Sequence, residues 1–197
     1  MNHAIKCKCG KFSAQLGHAE KSTRITCYCK DCRAFAHYLG RADDMLDAQG
    51  GSSIIVTHPR EITLTGGAQE IACMSLSQAG MLRWYARCCN TPIGNTSRNH
   101  KLAYVGLSAA CLADPGGIER DFGPVRMRSV TESAKGPVAP SGIKALPVLF
   151  GFAAALLGAR LSGSYARNPF FKPGTGEPLT APTVLDKEAR ERLSALD

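Results

Sequence analysis

Residues 27–32 read Cys27-Tyr28-Cys29-Lys30-Asp31-Cys32, three thiols within six positions. Cys-x-Cys and Cys-x-x-Cys turns bring sulfurs to about the separation that tetrahedral Zn²⁺ requires, and thiolates are its preferred structural ligands. Two further groups flank this stretch: Cys7-Lys8-Cys9-Gly10 before it and Cys88-Cys89-Asn90-Thr91-Pro92 after it. A single Cys-x-Cys is a weak signal. Two of them with a Cys-x-x-Cys step, separated by strand-like segments, point to zinc.

The chain carries nine cysteines, an odd number, all between Cys7 and Cys111. No apolar stretch follows a basic start in the first residues, Met1 to Cys7, so no secretory signal is read. A cytoplasmic protein with reduced thiols is the expectation, and metal binding then explains the cysteines better than disulfides do. Ligand counting assigns different roles to the groups. A closed structural site takes four protein ligands, so Cys7 and Cys9 need distant partners, Cys89 and, as an open candidate for the fourth, Cys88. The middle group offers three sulfurs, Cys27, Cys29 and Cys32, which leaves a fourth position for water or substrate.

The chain of 197 residues is 44% hydrophobic and 20% charged, enough for one ordinary domain with an extension. Its formal charge is +8. Residues 1–125 hold 14 basic and 10 acidic side chains and residues 126–197 hold 10 and 6, so each part is +4. A nucleic-acid-binding tail would break that symmetry, and none is expected. Lys6, Lys8, Lys11, Lys30, Arg33, Arg83 and Arg87 instead lie beside the cysteines, where cations lower thiol pKa and offset thiolate charge.

Short β-rich segments at 24–28, 53–57, 61–65, 70–76, 82–86 and 102–107 are bounded by turn residues, which predicts a mainly β fold. One short helix is expected near 31–39. Composition changes near Pro124, so the chain divides into a zinc-binding β domain, 1–124, and a C-terminal extension, 125–197. The extension reads as a linker at 133–147, an apolar run at 145–159, a Pro-rich loop at 168–182 and a terminal helix at 186–196. The apolar run has fifteen residues, short of the roughly 20 that span a bilayer, so a buried or docking helix is expected, with a membrane-surface or shallow insertion as the second reading and no transmembrane segment.

Cys-x-Cys-Gly, then Cys-x-Cys-x-x-Cys, then a distal pair leading into x-Thr-Pro resembles the glutathione-dependent formaldehyde-activating enzyme family, whose domain centromere-protein-V-like proteins share. The resemblance covers about 5–123. It implies an Mss4-like β-tent fold, a structural zinc at the outer cysteines and a catalytic or labile zinc at the triplet. It also implies carbon–sulfur lyase chemistry on S-(hydroxymethyl)glutathione. Carried over, Cys7, Cys9 and Cys89 match structural ligands, and Cys27, Cys29 and Cys32 match the second site. The family's distal pair is Cys-x-x-Cys-Gly; here Ala86 stands where its first cysteine falls, Cys88 comes two residues late, and Asn90 replaces the glycine. Adjacent cysteines on a strand point to opposite faces, so Cys88 and Cys89 need a sharp turn to bind together. Failing that, three sulfurs with another ligand, or no zinc, would be the outcome. The pattern sits closest to a less characterised branch of that family, one with a C-terminal extension.

In the enzyme reading, a small thiol held at the triplet adds to an aldehyde, with glutathione as the co-substrate by analogy and Lys30 and Arg33 pairing with its carboxylates. The other reading is a zinc-stabilised binding module or thiol redox sensor. Cys73 and Cys111 read as buried thiols. His37, Asp31, Trp84 and Tyr85 have weaker claims on the site. No Ser-His-Asp order, phosphate loop or dinucleotide fingerprint is present. Oligomeric state is left open.

Overall fold

The computed structural model describes residues 2–196. Its strands are β1 (His3–Lys6), β2 (Ser13–Leu16), β3 (Thr23–Cys27), β4 (Ser52–Thr57), β5 (Ile62–Gly66), β6 (Ile71–Ser75), β7 (Leu82–Ala86), β8 (Thr91–Thr96), β9 (Val105–Ser108), β10 (Met127–Ser129) and β11 (Thr183–Val184). The α-helices are α1 (Lys30–Tyr38), α2 (Ala42–Met45), α3 (Ile118–Phe122), α4 (Leu146–Leu161) and α5 (Lys187–Ser194). The fold is β-rich with a helical C-terminal part, as the sequence pattern predicts.

Eight strands form one sheet in the order β10-β3-β4-β9-β8-β7-β6-β11, and β1-β2-β5 form a second. Neighbours in the larger sheet are antiparallel except at its two edges. There β10 pairs parallel with β3 and β11 parallel with β6. Both edge strands come from the C-terminal extension, so that segment covers sheet edges that would otherwise stay unpaired.

Strand β8 contains Pro92, which cannot donate to a ladder and demotes the segment as a strand in the sequence. It is accommodated opposite Tyr85, beside a register shift between Trp84 and Tyr85. Gly94 permits close approach to β9, because a Cβ there would meet the Gly106 carbonyl oxygen at 2.5 Å. Four-residue β1 and β2 carry too little alternation to register as strands in the sequence. The turn between them, closed by Cys7 N–H donating to the Phe12 carbonyl at 3.1 Å, makes them a hairpin.

The core lies between the sheets. Ile5, Phe12, Leu16, Ile55, Leu82, Trp84, Val105 and Leu107 are fully buried in it, each contributing roughly 1.5–3 kcal/mol by leaving water. Trp84 Nε1 donates to Thr96 Oγ1 at 3.0 Å, which satisfies its polar edge. Phe170 and Phe171, in the segment read as Pro-rich loop, close this core, with Phe170 5.1 Å from Trp84 between ring centroids. A second cluster (Phe35, Leu39, Met45, Met74, Leu76) fixes α1 to the sheet, and Leu185 and Leu193 of the C-terminal end pack on it.

The apolar run departs from the expectation of burial. Together with a preceding 3-10 turn, Gly142–Ala145, it forms a helical segment of 20 residues, Gly142–Leu161, long and apolar enough to cross a bilayer by length and composition. Only Ala159 of α4 is buried.

Candidate metal centres

The outer cysteines meet at one end of the sheets. Cys7 and Cys9 occupy the β1–β2 turn, with Gly10 in the left-handed region at φ +77° accepting the tight bend. Cys88 and Cys89 occupy the turn that joins β7 to β8. That turn solves the adjacency problem: Cys89 N–H donates back to the Ala86 carbonyl at 3.3 Å, and Asn90 takes φ 54°. Asn90 stands where the resembled family has glycine, and asparagine tolerates the left-handed region best after glycine. Both thiols therefore face the same point.

All four sulfurs lie within 4.8 Å of one another. Cys7 to Cys9 is 3.6 Å, Cys7 to Cys88 3.7 Å, Cys9 to Cys88 3.2 Å and Cys88 to Cys89 3.8 Å. A tetrahedron with metal–sulfur bonds of about 2.3 Å has edges of about 3.8 Å. The residues fit a closed four-thiolate site. Backbone and hydroxyl donors surround it: Phe12 N–H reaches Cys7 Sγ at 3.2 Å, and Thr91 Oγ1 lies 3.1 Å from Cys89 Sγ. Thr91 Oγ1 also accepts from Lys8 N–H at 3.0 Å, which links the two turns. The Cys89 thiol titrates low, at about 6; burial opposes this, but the Thr91 hydroxyl and the neighbouring amides outweigh it. Burial and hydrogen bonds from Cys9 and Cys7 push Cys88 up.

The triplet is built differently. Cys27 ends β3, Cys29 is the N-cap residue of α1, and Cys32 lies in its first turn, where Cys32 N–H donates to the Cys29 carbonyl at 3.1 Å. The three sulfurs lie within 4.8 Å. The amino end of α1 favours negative charge at this point. Hydrogen bonds from Cys29, Cys32 and the Ser129 side chain hold Cys27 low, at about 2. The same sharing pushes Cys29 and Cys32 up, with burial adding to both. This sharing favours ionisation of Cys27 over Cys29 and Cys32, and a dication bound by all three sulfurs would displace their protons.

Arg83 and Ser129 complete this site. Arg83 is 3% exposed, and its Nη1 lies 4.0 Å from Cys32 Sγ. Its other terminal nitrogen is 3.8 Å from Asp31, which Arg190 of α5 also approaches at 3.5 Å. Ser129 arrives on β10, opposite Cys27 in the register. Nothing in the sequence signals Ser129, which lies about a hundred positions from Cys27. Arg83 is visible there only as one cation among seven near cysteines.

Other sequence candidates fall elsewhere. Lys30 is exposed beside the triplet. Arg33, offered by the sequence to a substrate carboxylate, is 3% exposed and donates to the Tyr28 and Ser133 carbonyls at 2.6 and 2.8 Å. Its guanidinium staples the linker to β3. His37 is not among the groups that cluster with the sulfurs. Asp31 is held by Arg83 and Arg190, and Trp84 and Tyr85 belong to the core and its border. Cys73 and Cys111 are buried thiols, both pushed up to about 12 chiefly by burial. The narrow, partly open space beside Cys32, lined by Arg83, Ser52, Asn95 and Ser108, is about 10 Å³, roughly one water.

Among solved structures, a Rhodobacter sphaeroides protein from a structural-genomics programme is similar at 18% identity and a TM-score of 0.40. It covers 64% of this chain and 97% of its own. No curated protein matches. Residues 2–179, both sulfur groups and most of the extension included, match a family described as "Family of unknown function (DUF6151)", and the chain belongs to that family.

Proposed function

We propose that this chain is a two-site zinc protein in which Cys7, Cys9, Cys88 and Cys89 hold a structural ion and Cys27, Cys29 and Cys32 hold a reactive one. The observation that carries this is the division of seven sulfurs into a closed group of four and a group of three at a helix amino end. Zinc, when bound at the triplet, would supply an open Lewis-acidic position that keeps a small thiol ionised near neutral pH. The reaction class is addition of that thiol to an aldehyde, or its reversal. A carbon–sulfur bond forms, the carbonyl π pair moves to oxygen, and oxygen takes a proton; no redox partner is needed.

The chain's residues would act by position. Arg83 offsets the thiolate charge at Cys32, Ser129 orients Cys27, and exposed Lys30 is placed to meet a carboxylate of the thiol. Glutathione remains the model co-substrate, by the resemblance in the cysteine pattern. Because the narrow space at Cys32 holds about one water, a thiol of that size would approach from the half-exposed side of Cys27 and Cys29. Free thiols throughout fit a reducing compartment, and we place the protein in the cytoplasm. We also keep residues 1–124 as the zinc-binding β domain, with 125–197 as an extension that supplies Ser129.

The test is zinc content with turnover of glutathione and formaldehyde. Two zinc ions per chain, falling to one in Cys29→Ser with loss of turnover and retention of fold, supports the reading. Full turnover in that variant sinks it. The tight space at Cys32 favours a second reading, a zinc-stabilised binding module or thiol redox sensor; two ions lost equally slowly to a chelator, without thiol–aldehyde turnover, would support it.

A further inference from the structure

From Leu146 to Ala159 the chain has no charged side chain and none that hydrogen-bonds. Val148, Phe152, Leu156 and Ala159, spaced four, four and three apart, face the sheet, with Phe152 edge-on to Tyr104 at 5.4 Å. The opposite face is equally apolar. Ile143 is 83% exposed, Leu161 80%, Phe150 74% and Leu157 60%. A helix that merely docked on its own sheet would carry polar residues there, as amphipathic surface helices do. Contiguous exposed apolar surface of this kind marks a docking or membrane surface.

Charge indicates which of these occupies it. Lys144 and Arg160 stand at the two ends of the apolar stretch, and Lys21, Arg60 and Arg126 line the cleft between α4 and the sheet. Only Glu20 and Glu61 oppose them in that lining. The cleft, about 1030 Å³, has Ile25, Val56, Tyr104 and Phe152 among its walls. Arg60 is paired with Glu61 at 2.9 Å, so Lys21, Arg126, Lys144 and Arg160 carry the excess of positive charge over Glu20 around this apolar surface, an excess that matches an anionic lipid surface.

Tethering decides the orientation. The chain before α4 pairs into the sheet as β10, and the chain after it returns through Ser164, 3.4 Å from His58, to Phe170 beside Trp84. A spanning helix of 20 residues would put its ends about 30 Å apart on opposite sides of the bilayer. The segment between β10 and α4 holds Glu132, Lys135 and Lys144 and cannot cross hydrocarbon to rejoin the sheet. We propose that α4 lies in the plane of an anionic phospholipid surface, outer face immersed, with acyl chains filling the cleft beneath it.

The experiment is flotation of the full chain with vesicles of phosphatidylcholine alone or with phosphatidylglycerol added. Binding at least tenfold stronger to the anionic vesicles, reduced by salt, is expected. Phe150→Glu with Leu157→Glu should weaken it at least tenfold while leaving circular dichroism unchanged, since both side chains are exposed. Absence of vesicle binding, or binding indifferent to the double variant, overturns the proposal. So does a wild-type dimer, unbound to vesicles, that the double variant converts to monomer; the face would then join two copies. Resistance to alkaline extraction from membranes would overturn the in-plane orientation.

Discussion

The two sulfur groups use the same side chain to opposite structural ends. The four-sulfur group joins turns about eighty residues apart, one from each sheet, and its ligands are half-buried or exposed except Cys7. The triplet lies within six residues, at the junction of β3 and α1, and is enclosed by residues from later in the chain: Arg83, Ser129 and Arg190. A metal in the first closes a long loop; a metal in the second closes almost none. Stability should therefore reside mainly in the first site and reactivity in the second.

The largest effect should come from breaking the long clamp. Cys88→Ser is expected to cost about 4 kcal/mol or more in denaturant unfolding of the zinc-loaded protein, on the scale of losing a cross-link that closes roughly eighty residues. Cys29→Ser should cost under about half of that. Equal losses would erase the distinction between the sites. Next in size is Arg83→Met, which removes a buried cation from beside Cys32. Zinc at the triplet should become roughly tenfold easier to chelate, as changes beside metal ligands generally cause, while the four-sulfur site keeps its metal. Ser129→Ala should act in the same direction by a few-fold, measured by competition with a chromogenic chelator.

Proton binding separates the sites further. In metal-free protein, the Cys89 thiol at about 6 lies below its ordinary value of 9.0. A thiol depressed by folding contributes stability above its unfolded pKa and loses it as pH falls through the folded value, so the Cys89 contribution should fade between about pH 9 and 6. Cys88, raised by burial, acts oppositely at higher pH. Thiolate absorbance against pH, compared between wild type and Cys89→Ser, would show whether the low step belongs to this site. The smallest effect on metal binding is expected at Cys111, which is buried and belongs to neither sulfur group. Cys111→Ala should cost about 1–2 kcal/mol and leave zinc content unchanged.

Much of the β framework was legible from sequence because β-branched runs bounded by turn residues have a local cause. The segments at 53–57 and 82–86 nearly coincide with β4 and β7. Strand β8 was not legible, because Pro92 signals against a strand and only the register shift beside Tyr85 accommodates it. The role of 168–182 was also hidden. Asn168, Pro169, Gly174 and Gly176 look like loop, and the burial of Phe170 against Trp84 depends on a contact 86 positions away in sequence. Arg33 shows the same limit from the other side: a cation next to cysteines looks available, but two backbone carbonyls occupy it.

By itself, the sequence determined which atoms could bind metal, since thiolate chemistry and Cys-x-Cys spacing are local properties of the chain. Ligand counting also separated the middle three sulfurs from the outer cysteines, but left open whether Cys88 joins Cys7, Cys9 and Cys89. The tertiary structure decided that Cys88 and Cys89 face one point, because the Asn90 turn, and not the extended geometry of neighbouring residues, sets their direction. It likewise decided that the extension supplies Ser129 and two sheet edges, and that the apolar run lies uncovered. Burial and long-range pairing are properties of the folded whole. Composition can say that a segment is apolar, but only its neighbours in space say whether anything covers it.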